Sequence, residues 1–319
     1  MSTPRGIRYI PAIDGLRAVA VIAVMLYHLG VPWIPGGFLG VDLFFVISGY
    51  VITRLLLDSI QERGGLDLRD FYLARIRRLL PPLVFMIVTT SIFIGLWAPD
   101  TTKKFLTDAP FSLTGAMNWW LVFNHQDYFE ASGRPPLLQH TWSLAVEAQF
   151  YLLWPLIIFT LWKIGRQRLV FRGVLGITIL SFLFSLFLTN AAPIWAFYSL
   201  PTRAWELGVG ALLLYIPARI KFSQNYLWIA LALFIYGTLQ FRDSTPFPGT
   251  AALVPVIATA ISIAAVHSWP RVLNLIGNHR IVQWLGAISY PLYLWHWPLL
   301  VIPVVYLGRG LSIYERFFA

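Results

Sequence analysis

Apolar runs long enough to cross a bilayer alternate with short polar segments along this chain. The first two set the pattern: IDGLRAVAVIAVMLYHLG from Ile13 to Gly30, and GGFLGVDLFFVISGYVITRLLL from Gly36 to Leu57. A membrane helix needs about 20 mostly apolar residues. Nine segments approach that length, at about 12–29, 38–57, 79–98, 141–162, 173–189, 203–216, 226–240, 249–267 and 283–302, the sixth and seventh being short. The pattern predicts an all-α, polytopic helical bundle of about nine to ten transmembrane helices.

Polar residues interrupt these runs at helical spacing. At about 100° per residue, Arg17 and His28 lie roughly 20° apart around one helix, with Asp14 on the same side. The same spacing separates Arg17 and His28 by about 16 Å along the axis. This stripe runs through the membrane rather than along one surface. Ionisable groups at that depth are costly, and they usually face a protein interior or a wet cavity. Ser289, Tyr293 and His296 fall within about 40° of one face of the last span. They either line a cavity or form an interhelical hydrogen-bond seam.

Composition agrees. Of 319 residues, 58% are hydrophobic and 12% charged, and the mean hydropathy is +0.68. A soluble protein of this length has too little interior to hide that apolar surface. The net charge of +10 does not point to nucleic acid, because the basic residues sit in short loops between apolar spans. With the N-terminus in the cytoplasm, most of them lie inside, among them Arg5, Arg8, Arg54, Arg63, Arg77, Arg168, Arg172, Arg219 and Lys221. Fewer lie outside, among them Lys103, Lys104, Arg134 and Arg242. This is the inside-positive bias of membrane proteins. The absence of cysteine excludes disulfides and thiolate chemistry. The first span reads as retained, residues 1–319 read as a single membrane domain with no appended soluble domain, and the end reads as the approach to another helix.

His28 is either a general base or an interfacial histidine beside the break at Gly30 and Pro32. Asp42 either orients the His28 ring or caps its own helix. Arg17 either pairs with Asp14, three residues back, or binds an anionic ligand. Arg75 and Arg78 share a helical face in FYLARIRRLLPP. They either set topology or grip the phosphates of a nucleotide-bearing cofactor. Glu147, about two turns into HTWSLAVEAQFYLLWP, needs a partner: His28, Arg203 or substrate. Arg203 and Glu206, three apart in PTRAWELGVGA, satisfy each other, and Gly208 and Gly210 allow close helix contact. Metal ligation is unsupported, with no H-E-x-x-H, phosphate-binding glycine loop or G-x-S-x-G.

Taken together, D-G-L-R at Asp14–Arg17, His28, G-G-F-L-G-V-D-L-F-F-V-I-S-G-Y at Gly36–Tyr50, R-I-R-R at Arg75–Arg78, H-T-W-S-L-A-V-E at His140–Glu147, R-A-W-E-L at Arg203–Leu207 and S-Y-P-L-Y-L-W-H-W-P at Ser289–Pro298 resemble the membrane-bound acyltransferase-3 family, which includes the O-antigen acetylases. The resemblance covers nearly the whole chain. It implies an inner-membrane enzyme that moves an acyl group, often acetyl, from cytoplasmic acyl-CoA to a sugar hydroxyl on the far side. It also implies essential roles for His28 and Arg17, and it matches Arg75 and Arg78 to the family's R-x-x-R motif. The chain departs from the family at Ala148, where many members carry a second acid. It also departs in showing fewer spans, and in showing no esterase-like domain.

The expected catalytic residues are therefore His28, Asp42 and Glu147. Arg17, Arg75 and Arg78 are expected to hold acyl-CoA, and Asp14, Arg203, Glu206, Ser289, Tyr293 and His296 to be structural or to line a cavity. The expected partners are the lipid bilayer and a carbohydrate or glycolipid acceptor. The competing class is a transporter or channel for an anion or a glycolipid, since intramembrane Arg, Asp and His suit ion paths equally well. A third class is a non-catalytic assembly partner.

Overall fold

The computed structural model describes residues 10–129, 136–217, 220 and 222–318. The basic residues Arg5, Arg8, Arg134, Arg219 and Lys221 lie outside the described residues. The helices are α1 (Pro11–His28), α2 (Gly40–Arg63), α3 (Leu68–Trp97), α4 (Pro99–Leu113), α5 (Met117–Phe123), α6 (Trp142–Ala191) and α7 (Pro193–Tyr198). They continue with α8 (Leu200–Leu212), α9 (Gln224–Gln240), α10 (Leu253–Ala264), α11 (Arg271–Gly277), α12 (Arg280–Ala287), α13 (Ser289–Leu307) and α14 (Ile313–Phe318). No strand occurs among the described residues.

Local chemistry sets several boundaries. Pro11 opens α1, where its missing N–H costs nothing. Gly64, in the left-handed region at φ 70°, stops α2. The Asp67 side chain caps α3 by accepting a hydrogen bond from the Asp70 N–H at 3.0 Å. Two of the expected spans, 141–162 and 173–189, are the two arms of α6, separate helices that meet at Gly165 (φ −137°, ψ 18°) and Arg166 (φ 55°, ψ −157°). The chain folds back at this turn: a Cβ at Gly173 would meet the side chain of Leu161, which a continuous helix would hold about 18 Å away. The last expected span divides into α12 and α13.

Among the described residues, five helical stretches are long and apolar enough to span a membrane: Pro11–His28, Gly37–Arg63, Leu68–Trp97, Gln139–Ala191 (which contains the break at Gly165 and Arg166) and Ser289–Leu307, with Leu253–Ala264 a shorter apolar helix. The outward faces support the same reading. Phe85, Val88, Ile92 and Leu96 on α3, and Leu180, Leu183 and Phe187 on α6, are exposed. Contiguous apolar surface of this kind is unfavourable in water and favourable in lipid. The chain is a multi-pass membrane protein.

The second span is the axis of the bundle. About 72% of its apolar window is buried, against 28% for α3 and for α6. On one side it packs against α8 with backbones nearly touching. A Cβ at Gly49 would land on the Leu207 carbonyl, and one at Gly210 on the Val46 carbonyl. On its other side lies α1, which is also packed by α12 and α13. These contacts place the polar residues of α1, α2, α6, α8 and α13 inside the bundle.

Candidate active site

At the end of α1, His28 meets His296 of α13. The Nδ1 of His296 lies 2.5 Å from the carbonyl of Tyr293, one turn back in the same helix. A carbonyl can only accept, so this nitrogen carries the proton. The Nε2 of neutral His296 is then an acceptor. It faces His28 Nδ1 at 3.1 Å, so His28 Nδ1–H donates to it. His28 Nε2 is left with its lone pair and accepts from the Tyr128 hydroxyl at 2.9 Å. The hydrogen-bond chain thus fixes the tautomer and turns the basic nitrogen outward. Trp297 packs edge-on against the His28 ring at 4.8 Å, and Tyr128 is stacked on Phe197 at 4.6 Å.

His28 and Tyr128 line a wide mouth with about 2560 Å³ of open space, bounded also by Tyr27, Gln139, Trp297, Lys104, Arg242, Asp243 and Arg316. The Tyr27 hydroxyl donates to Asp243 at 2.8 Å.

A second cavity, with about 740 Å³ of space including its open side, lies toward the other end of α1. It brings together Arg17, Arg75, Arg78, Ser48, Glu147, Tyr151, Ser289 and Tyr293. Arg17 pairs with Asp14 at 3.1 Å. Arg75 Nε is buried without a hydrogen-bond partner. Glu147 accepts from the Ser48 hydroxyl, to which the Tyr151 hydroxyl donates at 3.4 Å. Glu147 therefore faces this arginine cavity and not His28.

Among the described residues, none lines both cavities. Between them lies a layer built from α13, the first turn of α6 and the short turn Gln139–Thr141 before it. The Tyr293 hydroxyl contacts Ser143 Oγ at 2.7 Å and donates to the His140 carbonyl at 3.0 Å. His140 donates from Nε2 to the Leu294 carbonyl at 3.1 Å, and its Nδ1 is buried without a partner. The stripe of Ser289, Tyr293 and His296 passes through this layer, with Ser289 on the arginine side and His296 on the mouth side.

Asp42 takes a different place from the one expected. It lies 3.2 Å from Arg203, which lies 3.0 Å from Glu206. The three side chains are essentially sealed, at 0%, 1% and 0% exposure. At that depth a guanidinium needs counter-charges, and α2 and α8 approach closely enough to supply both carboxylates. The contacts have ion-pair distances without hydrogen-bond alignment. Phe45, Trp142, Phe197 and Phe247 ring the guanidinium at 5.2–5.8 Å. Asp42 is thus spent on Arg203, and His296 takes the orienting position beside His28.

No spacing in the sequence connects Tyr128 or His140 to His28, since they arrive from separate elements. Among the described residues, no group of His, Asp and Glu is arranged to hold a metal ion.

Residues 10–311 match the family described as Acyltransferase domain, the acyltransferase-3 family, and the chain belongs to it. The chain is similar to the peptidoglycan O-acetyltransferase OatA of Listeria monocytogenes, 36% identical over 92% of this chain and 50% of that protein. It is also similar to the O-acetyltransferase OatA of Staphylococcus aureus, 31% identical over 95% of this chain and 52% of that protein. The chain spans about half the length of these curated relatives. No solved structure matches it.

Proposed function

We propose that the chain is a membrane O-acyltransferase that moves an acetyl group from acyl-CoA to a hydroxyl of a cell-envelope carbohydrate. The names of its relatives favour peptidoglycan as the acceptor. The observation that carries this reading is the unprotonated Nε2 of His28. It faces an open mouth, while an arginine cavity lies at the other end of the same helix.

Arg75 and Arg78, with Arg17, hold the phosphates of acyl-CoA on the cytoplasmic side, where guanidinium forks match phosphate oxygens. The acceptor hydroxyl takes the place of the Tyr128 hydroxyl at His28 Nε2. His28 removes its proton as the oxygen attacks the acyl carbonyl. His296 holds the ring and accepts from Nδ1–H as positive charge develops. The thiolate leaves on the donor side. Because none of the described residues lines both cavities, the acyl group reaches His28 when the Tyr293 layer opens.

Glu147 sits beside the donor cations, where it orients Ser48 and tempers the positive field. In this reading the membrane is the inner one and the N-terminus is cytoplasmic, as the inside-positive bias of the basic residues supports, with the donor inside and the acceptor outside. Transfer of labelled acetyl from acetyl-CoA into the envelope glycan fraction tests the reading. Label must depend on both His28 and Arg78.

A further inference from the structure

The mouth around His28 is ringed by cations that the transfer chemistry does not use. Lys104 comes from α4, Arg242 from the segment after α9, and Arg316 from α14. Among the described residues, none of the three has a carboxylate within 4.0 Å. Of the acids nearby, Glu315 is held by Arg309 at 2.6 Å, while Asp243 accepts from Tyr27 at 2.8 Å and Asp108 from Trp120 at 2.9 Å. Those last two bonds come from neutral donors, so the mouth sets the three cations against Asp243 and is positive on balance.

Arg316 is also placed with some care. Its Nε donates to the Leu311 carbonyl at 3.1 Å, and its guanidinium lies over Gly30, at the C-terminal end of α1 beside His28. A cation there meets the negative end of the helix dipole, which fixes it at the rim. Elements far apart in sequence have therefore delivered unpaired positive charge to one opening. Basic walls around a cleft concentrate anions and orient them on entry.

We infer that Lys104, Arg242 and Arg316 form an anion-binding rim that seats a carboxylate or phosphate carried by the acceptor saccharide, presenting its hydroxyl to His28. The inference rests on the acyl-transfer reading of the mouth, and it adds to that reading the charge class of the acceptor. A neutral glycan would gain nothing from these three side chains. An acidic one is drawn in and held with its anion to one side of the imidazole.

The test measures binding, so it stands apart from the chemistry. The full chain is purified in a zwitterionic detergent without anionic lipid. It is titrated with a fluorescent peptidoglycan disaccharide–peptide bearing free carboxylates, and with the same fragment amidated at every carboxyl. The acidic fragment is expected to bind about tenfold tighter at low salt, with the gap closing as salt screens the rim. The double variant K104Q/R242Q is expected to erase the gap. His28→Ala is expected to keep it, which separates loss of catalysis from loss of recognition. R316Q serves as a second variant if the double variant fails to fold. Equal binding of both fragments, or of neither, overturns the inference. So does a gap that survives in K104Q/R242Q and R316Q. A rim that serves lipid headgroups instead would make phosphatidylglycerol nanodiscs bind wild type better than K104Q/R242Q while the two fragments bind alike, and that outcome also overturns it.

Discussion

His28 and His296, 268 residues apart in the chain, share one hydrogen bond of 3.1 Å, and its direction is set by a third group, the Tyr293 carbonyl. The consequence is a fixed tautomer. Removing the acceptor at His296 frees the His28 ring to turn and to move its proton. His296→Ala is expected to lower kcat by on the order of 10²-fold, within the usual range for acid–base catalysis. KM for acyl-CoA stays close to wild type. His296→Gln, whose amide oxygen can accept from Nδ1–H, is expected to recover part of the loss. Steady-state kinetics on the purified protein check this, and a loss of KM rather than kcat would contradict it.

The arginine cavity gives the opposite split. Arg78→Gln removes a charge-assisted contact to phosphate but leaves the histidine pair untouched. KM for acyl-CoA is expected to rise by about tenfold or more with kcat little changed. Titrating acyl-CoA in the same assay measures it.

Tyr293 separates the two cavities. Tyr293→Ala opens the layer and also removes the hydroxyl that holds Ser143 and the His140 carbonyl. Water then reaches the acyl group more easily. The ratio of acyl-CoA hydrolysis to acyl transfer is expected to rise. Free thiol release in the absence of acceptor gives the reading, and an unchanged ratio would remove Tyr293 as the barrier.

The sealed trio of Asp42, Arg203 and Glu206 predicts a stability effect. Arg203→Met leaves the carboxyl groups of Asp42 and Glu206 buried together without their shared counter-charge and is expected to cost about 3–5 kcal/mol. The triple replacement Asp42→Leu, Arg203→Met, Glu206→Leu is expected to cost less than that single change, because no buried charge remains. Thermal unfolding in detergent, followed by tryptophan fluorescence, compares them.

Outside the spans, Arg309 holds Glu315 through two hydrogen bonds, at 3.0 and 2.6 Å, helped by the Ser312 N–H at 2.8 Å. These contacts bring the Glu315 carboxyl down from its ordinary 4.5 to about 2. A depressed acid contributes to folding above its unfolded value and loses that contribution as pH falls from about 4.5 through about 2. Arg309→Gln is expected to raise the Glu315 titration midpoint toward 4.5. Carbon-13 NMR of the labelled carboxyl follows it.

Much of this arrangement was legible wherever the partners share a helix. The spacing of Asp14 with Arg17, and of Arg203 with Glu206, predicts pairs that the structure contains at 3.1 and 3.0 Å. The Ser289, Tyr293 and His296 stripe was equally visible, because helical periodicity reports which residues share a face. Periodicity says nothing about which face meets which neighbour. Asp42 was therefore read with His28, across a short connection, whereas its counter-charge arrives from α8. His296 was read as a cavity residue, although it holds the position given to Asp42. Tyr128 sits in an irregular segment with no period at all. The two arms of α6 were legible as well: the polar, basic stretch between two apolar runs reads as a connection, and the backbone leaves the helical region there, at Gly165 and Arg166.

The measurement that bears most directly on the central claim uses membranes from cells expressing wild type, His28→Ala and Arg78→Ala. Radiolabelled acetyl-CoA is supplied, and label is followed into the envelope glycan fraction. The account predicts incorporation by wild type, almost none by His28→Ala, and incorporation by Arg78→Ala that returns as acetyl-CoA is raised. Incorporation by His28→Ala equal to wild type would contradict the assignment of His28 as the base.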